Sequence, residues 1–147
     1  MQTDNAFDDF KRDISYRVSR SPEGFTLTAT LNDPFHDILL EIIADADNLR
    51  IIAARVNFYK QPTDYCQQID KAMSLLVGTI IGRGLNKRLI EIFGGSEGCG
   101  NIRTMLMGLL PLALNAKAAV GIKDKNEMLG NISKALKGTC IGYSLPR

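Results

Sequence analysis

The chain has 147 residues, of which 45% are hydrophobic and 23% are charged, a balance typical of one soluble globular domain. This composition excludes an intrinsically disordered chain, and no apolar run is long enough to span a bilayer. Eighteen basic against sixteen acidic residues leave a formal charge of +2, which is too small to indicate nucleic-acid binding. The three cysteines are too few, and odd in number, for a disulfide scaffold.

The amino-terminal residues 1–20 are polar and contain neither the basic nor the apolar segment of a secretory signal. We therefore expect a cytoplasmic protein with reduced thiols, and an arm or short helix over residues 1–20. No linker or repeat divides the rest of the chain, so the sequence predicts a single domain over residues 1–147.

Hydrophobic residues alternate with polar ones in segments that follow this arm. In residues 25–31 the polar partners are all threonine, which is typical of a strand with one buried face. Residues 38–43 and residues 52–58 predict two more strands, and turn residues separate the three segments. Short turns between successive strands predict a three-stranded antiparallel meander.

After the third predicted strand the apolar residues recur at helical spacing, which predicts about four helices. The first ends before Gly82, and the second covers roughly residues 86–93. The third begins near Gly100 and is strongly apolar, and Pro111 kinks or divides it. The fourth covers about residues 125–137. Strands followed by helices predict an α+β fold with the helices packed on one sheet face.

Two of the cysteines stand at predicted helix starts. Cys66 falls in the first turn of the first helix, and Cys99 falls just before the apolar third helix. Unpaired backbone N–H groups and the helix dipole stabilise a thiolate at such positions, so both are candidates for thiolate chemistry or soft-metal ligation. Cysteine is also a small apolar residue that is often buried for packing, and this alternative stays open for each of them.

The only histidine, His36, stands beside Asp37 at the start of the second predicted strand. A lone histidine is most often structural or solvated, and no Cys-x-x-Cys spacing supports a local metal motif. In a meander followed by helices, however, the turn before the second strand and the start of the first helix can lie at one end of the sheet. A set of His36, Asp37, Cys66 and Cys99 gathered in this way would suit a tetrahedral ion such as zinc.

Other kinds of site find less support in the sequence. The glycine-rich segment 94–100 follows a predicted helix rather than a strand, so the dinucleotide fingerprint lacks its context. A Cys–His hydrolase would have to use His36 as its base, and a serine hydrolase would lack a nucleophile elbow. The apolar third helix is most simply part of the core, and any surplus of apolar surface could form a dimer face.

The order of these motifs resembles an uncharacterised bacterial family, a domain of unknown function. The shared features are a His-Asp pair at His36, a Pro-x-x-x-Cys segment that ends at Cys66, and a Gly-Cys pair at Cys99 before an apolar helix. The resemblance covers about residues 14–143 and implies no established activity. This chain has Asn101 where the family usually has histidine.

A more distant likeness connects the chain to NifU-like scaffold proteins of iron–sulfur cluster assembly. Those proteins also have three strands followed by helices, and their ligands are an aspartate and three cysteines. Asp37, Cys66 and Cys99 match the aspartate and the second and third cysteines, while His36 stands where the first cysteine is expected. The likeness implies an iron–sulfur cluster as the bound group, whereas the residue types alone suggest zinc.

The leading hypothesis is a cytoplasmic α+β protein with a metal or cluster site formed by His36, Asp37, Cys66 and Cys99. Cys140 is a weaker candidate, because a whole predicted helix separates it from Cys99. The alternative is a protein-interaction module that forms a homodimer through its apolar helices and uses its cysteines for packing. A thiol enzyme that uses Cys66 or Cys99 is a third alternative, for which the sequence offers no convincing base.

Overall fold

The computed structural model describes residues 8–138 and 140–143, and it has the α+β architecture that the sequence predicts. Each of its four β-strands pairs antiparallel with the next one, so the order in the sheet is the order in the chain. The predicted meander is thus confirmed in kind, but the predicted number of three strands is wrong. The strands are β1 (Asp13–Ser21), β2 (Gly24–Asn32), β3 (Asp37–Ala44) and β4 (Ile51–Lys60).

The additional strand is β1, of which all but Ser21 lies within the residues 1–20 that were predicted as an arm or short helix. It pairs with β2 along its whole length, in a register that puts Asp13 opposite Asn32. β1 is an edge strand, and its apolar contacts with the core come from Ile14 and Val18. Its residues Ile14, Tyr16 and Val18 alternate with polar ones as in a half-buried strand, but serine and arginine make up most of the rest of the segment, which an edge strand tolerates.

Five α-helices follow in the part of the chain that the structure describes. Pro111 divides the predicted third helix, because proline has no N–H for a helical hydrogen bond, and a new helix begins after it. Within the described ranges, no helix is long and apolar enough to cross a membrane. The helices are α1 (Asp70–Leu76), α2 (Leu85–Phe93), α3 (Gly100–Leu109), α4 (Leu112–Ala118) and α5 (Lys125–Ala135), with 3₁₀ helices at Asp64–Ile69 and Ile141–Tyr143.

The first predicted helix is shorter than expected at its carboxyl end. α1 ends at Leu76, and Val77 already has an extended conformation. The chain then runs beside the start of β4, where the Gly78 N–H donates to the Ile51 carbonyl and the Ile51 N–H donates to the Thr79 carbonyl, both at 2.8 Å. This short pairing covers part of the outer edge of β4, and covered edges protect a sheet from pairing with other chains.

The core lies between one face of the sheet and the helices. The alternation of β2 and β3 puts every second residue of each strand on that face, where these residues are buried. α3 contacts β1, β2, α2 and α4, and burial of each of its large apolar side chains stabilises the fold by about 1.5–3 kcal/mol. The side chains of α3 with no exposed surface are Ile102, Met105, Leu106 and Leu109.

α3 comes very close to β1 at Gly108. A Cβ at this position would overlap the end of the Tyr16 ring, so the absence of a side chain allows the ring to pack on the helix. Tyr16 is 38% exposed, which leaves its ring room to move when it is pushed. The packing of β1 against the helices therefore depends on a contact that an added methyl group disturbs.

We expect Gly108→Ala and Tyr16→Ala to be coupled. Alanine stabilises a helix relative to glycine by about 1 kcal/mol, but in the wild-type chain the new methyl group must displace the Tyr16 ring. Gly108→Ala should therefore be more favourable in the Tyr16→Ala background, by about 1 kcal/mol in a double-mutant cycle of urea unfolding. Additive effects of the two substitutions would show that this close approach does not exist in solution.

Candidate functional site

Cys66 lies in the 3₁₀ helix Asp64–Ile69, between β4 and α1. Its N–H donates to the Thr63 carbonyl (3.4 Å), and its Sγ lies 3.7 Å from Thr63 Oγ1. The side chain is partly buried and is not in a disulfide. The thiol therefore stands at the beginning of a helical segment, as the sequence predicts, although this segment begins as a 3₁₀ helix rather than as an α-helix.

Cys99 is the N-cap residue of α3 and has an extended backbone conformation, with φ −145° and ψ 121°. It packs partly against the hydrophobic core and is not in a disulfide. The preceding Gly98 lies so close to the carbonyl group of Phe93, at the end of α2, that a Cβ would not fit there. This close approach fixes where the chain enters α3, and with it the position of the Cys99 thiol.

Cys66 and Cys99 line the same surface cavity, which has a volume of about 280 Å³. The 3₁₀ helix contributes one part of its lining, and the loop before α3 contributes another. The lining residues also include Glu97, which carries a carboxylate, and Thr63 and Ser96, which carry hydroxyl groups. The structure thus brings together two thiols that are distant in sequence and adds a carboxylate that was not predicted as a ligand. We call this the two-thiol cavity.

His36 is not among the described residues that line the two-thiol cavity, but it belongs to a ring of hydrogen bonds at the start of α3. Its Nδ1 lies 3.0 Å from Asp33 Oδ1, and its Nε2 lies 3.2 Å from Asn101 Nδ2. Arg12 closes the ring, because its Nη1 donates to Asn101 Oδ1 (3.1 Å) and its Nε donates to Asp33 Oδ2 (2.8 Å). We call these four residues the polar ring.

The positions of the protons in the polar ring follow from the member that can only donate. Arg12 has no acceptor atom, so the Asn101 amide turns its oxygen towards Arg12 and its NH₂ group towards His36. His36 Nε2 then accepts a hydrogen bond from Asn101, and the imidazole N–H is at Nδ1, which donates to Asp33. This is the tautomer in which Nε2 directs its lone pair at Asn101.

Asp33 is the only buried charged residue in the described part of the chain, with 5% of its surface exposed. Burial raises the pKa of its carboxyl group, but hydrogen bonds from the Phe35 N–H, His36 and Arg12 outweigh this effect and lower the pKa to about 2. The N–H groups of Phe35 and His36 both donate to Oδ1 at 2.8 Å, which folds the β2–β3 connection around the carboxylate. Asp33 is therefore ionised at neutral pH and holds His36 in place.

The other predicted ligands lie elsewhere. Asp37 begins β3, where its pairing partners are Asn32 of β2 and Lys60 of β4, and it does not line the two-thiol cavity. Cys140 is exposed. Across residues 8–138 and 140–143, no group of three or more His, Cys, Asp or Glu residues is arranged to hold a metal ion. The structure thus gathers two of the four predicted ligands, and metal binding stays a prediction.

Three residues of this arrangement were not found from the sequence. Asp33 had a detectable signal, since Asn32-Asp33-Pro34 is a turn sequence in which the aspartate side chain often accepts nearby backbone N–H groups. Glu97 could have been noticed by its proximity to Cys99. Arg12 carries no signal of this kind, because nothing in a polar segment indicates that its guanidinium reaches a carboxylate 21 residues away.

We expect Asp33→Asn to lower the free energy of unfolding at neutral pH by about 2 kcal/mol. The pKa of Asp33 is depressed in the folded protein, so its contribution is complete above its ordinary pKa of 3.8 and is lost as the pH falls towards about 2. The difference in the free energy of urea unfolding between wild type and variant should therefore become smaller as the pH falls from 3.8 towards about 2. Asp9→Asn changes an exposed carboxylate outside the ring and serves as the control. A difference that is the same at every pH would contradict the role of the Asp33 charge.

Comparison with known proteins identifies a family. A family model described as a protein of unknown function (DUF2889) matches residues 7–115, which is more than half of the chain and includes the polar ring and both thiols of the cavity. No curated protein and no solved structure matches the chain. The resemblance to an uncharacterised domain family is confirmed by this match, while the likeness to NifU-like scaffolds finds no support in it. With its sheet, its cavity and its polar ring all inside the matched range, the chain belongs to the DUF2889 family.

Proposed function

We propose that the chain is a metal-binding module in which Cys66 and Cys99 are thiolate ligands at the two-thiol cavity. The observation that carries the proposal is that two cysteines from separate elements line one cavity. Both side chains are partly exposed and neither is in a disulfide, so both are available to a thiophilic ion. Zn²⁺ suits a site of this kind, because it accepts cysteine sulfur together with carboxylate oxygen in a tetrahedral arrangement.

Glu97 is the third ligand that we propose. It lines the same cavity, and a carboxylate is an ordinary zinc ligand beside cysteine. Among the described residues, no three His, Cys, Asp or Glu side chains are close enough together to hold a metal ion. Binding therefore requires Glu97 to move towards the two cysteines. Glu97 lies between Gly95 and Gly98. Gly98 is packed closely against Phe93, whereas Gly95 (φ 71°) has open space around it, so the loop has room to move at Gly95. Water or substrate then fills the fourth position.

His36 and Asp37 are the less favoured ligands of the predicted set. His36 Nε2 accepts a hydrogen bond from Asn101, so it could bind an ion only after this bond is broken. Asp37 is placed in the sheet rather than at the cavity. An iron–sulfur cluster, the other predicted group, is held by several thiolates, and the cavity provides two. We therefore favour zinc, in a reducing cytoplasm that keeps both thiols available.

Metal titration tests the proposal. We expect protein purified without chelator to bind one Co²⁺ or Zn²⁺ per chain, with the thiolate charge-transfer absorption of Co²⁺ as the readout. Cys66→Ser and Cys99→Ser should each weaken binding by at least about tenfold, because each removes a ligand, and Glu97→Gln should weaken it less. Cys140→Ser is the matched control, since it changes an exposed cysteine outside the cavity and should bind like the wild type.

Two outcomes would contradict this reading of the site. Less than about a tenth of an equivalent of zinc or iron per chain, even after reconstitution, would rule out metal binding. The absorption spectrum of an iron–sulfur cluster in the reconstituted protein would show that the bound group is a cluster and that zinc is wrong.

A second candidate function, homodimer formation, is favoured by a separate observation. Leu75, Val77 and Ile80 are 54%, 47% and 49% exposed, and they lie close together in the chain around the end of α1. Apolar side chains that are exposed as a group often mark a protein interface. We propose that this group packs against its counterpart in a second copy of the chain, because symmetric pairs are the commonest assemblies of soluble proteins.

For the dimer we expect sedimentation equilibrium to show self-association that weakens by at least about tenfold when Leu75 is replaced by lysine, since a charge would be buried at the interface. Leu129→Lys is the matched control, because Leu129 is about equally exposed, at 51%, on another helix, α5. A wild-type chain that stays monomeric over the whole concentration range would contradict the proposal.

A further inference from the structure

The start of α3 lacks the usual interactions that fix a helix terminus. Its N-cap residue, Cys99, makes no side-chain capping hydrogen bond, and the first turn contains no acidic residue to interact with the helix dipole. Asn101, in that first turn, instead binds His36 and Arg12, which come from other parts of the chain. These contacts tie the helix start to the β2–β3 connection and to the residues before β1.

The polar ring is itself held from outside. Its carboxylate, on Asp33, accepts the backbone N–H of Phe35 in addition to the ring contacts. The Arg12 guanidinium lies 5.8 Å from the centre of the Phe10 ring, and Phe10 stacks on Phe35 at 6.2 Å. Because linked hydrogen bonds strengthen one another, the loss of one member weakens the rest of the ring. A movement of Asn101 is therefore resisted by two anchored neighbours.

We propose that the polar ring positions Cys99 at the two-thiol cavity, so that Arg12 and Asn101 are positioning residues for the thiol pair. Asn101 follows Cys99 by two residues, and the Cys99 carbonyl accepts a helical hydrogen bond from the Arg103 N–H (3.0 Å). A shift of the first turn of α3 therefore moves the Cys99 backbone with it. The inference rests on the proposed function, because two thiolate ligands of one ion must keep a fixed separation.

The other side of the cavity is anchored separately. Cys66 is hydrogen-bonded to Thr63, the residue before its own helical segment, and Ile69, at the end of that segment, is buried in the core. These contacts involve no member of the polar ring. Loss of the ring should therefore move one thiol relative to the other, rather than both together.

A bifunctional thiol reagent measures this separation in the metal-free protein. Dibromobimane becomes fluorescent when it bridges two nearby thiols, and a Cys140→Ser background leaves Cys66 and Cys99 as the thiols that it can bridge. The rate of bridging reports on the geometry of the pair directly. Loss of stability alone changes this rate only in proportion to the unfolded fraction, which circular dichroism determines.

Two variants open the polar ring in different ways. Asn101→Ala removes the contacts of α3 with both His36 and Arg12, while Arg12→Lys keeps a positive charge near Asp33 but loses the fork that also reaches Asn101. We expect each to slow bridging by about tenfold. This is the lower end of the loss in metal affinity that follows when the groups that orient a metal ligand are removed. Arg12→Lys is the milder change and keeps the test available where Asn101→Ala fails to fold.

Asp45→Asn is the matched control. Asp45 also accepts backbone N–H groups in a turn, from Asp47 and Asn48, but that turn connects β3 to β4 and lies outside the polar ring. Equal slowing by this control, or bridging at the wild-type rate in both ring variants, would overturn the inference. Co²⁺ titration of the same proteins separates the two proposals. If the wild type binds no metal while bridging still depends on the ring, the proposed function fails and the positioning role stands.

Discussion

The buried carboxylate of Asp33 is the constraint on which the arrangement of the site depends. A charge inside a protein is tolerated only when it is paired and hydrogen-bonded, and Asp33 obtains these partners from the β2–β3 connection and from Arg12, before β1. Arg12 and His36 in turn bind Asn101 of α3. The need of the buried Asp33 carboxylate for hydrogen-bond partners therefore determines how the residue before β1, the β2–β3 connection and the start of α3 pack together. The Gly108–Tyr16 contact then brings the other end of α3 against the same strand.

The two-thiol cavity results from the order of elements rather than from a local motif. Cys66 follows the last strand of the sheet, and Cys99 precedes the helix that buries most of its apolar face in the core. α1 packs on β4 while α3 packs on β2, and α2 contacts both helices, so the segments that lead into α1 and α3 are brought side by side. The close approach of Gly98 to Phe93 then turns the chain towards the cavity at Cys99. Two thiols without a spacing motif can thus share one site.

The sequence predicts those parts of the molecule in which burial leaves a regular pattern. β2 and β3 bury every second residue, so their alternation is visible, and Pro111 marks the division between α3 and α4. β1 has the same alternation only over Ile14, Tyr16 and Val18, and the charged and hydroxyl side chains that an edge strand tolerates make the segment look polar as a whole. The placement of Cys66 and Cys99 at helix starts was a sufficient clue to consider them together. The polar ring could not be predicted, since three of its four links join residues 21, 65 and 89 positions apart and only the Asp33–His36 link is local.

The packing and ligand interpretations of Cys99 are compatible with each other. The same side chain packs partly against the hydrophobic core and lines the two-thiol cavity. A side chain that is already restricted by packing loses little conformational entropy when it binds a ligand, so burial of one side favours binding on the other. The polar ring restricts the backbone of Cys99 in the same sense, whereas Glu97 is exposed in its loop. In the proposed site, binding of the metal ion therefore restricts mainly the conformational freedom of the Glu97 loop. The affinity then depends on how closely the Glu97 carboxylate can approach two sulfur atoms whose positions are already restricted by the fold.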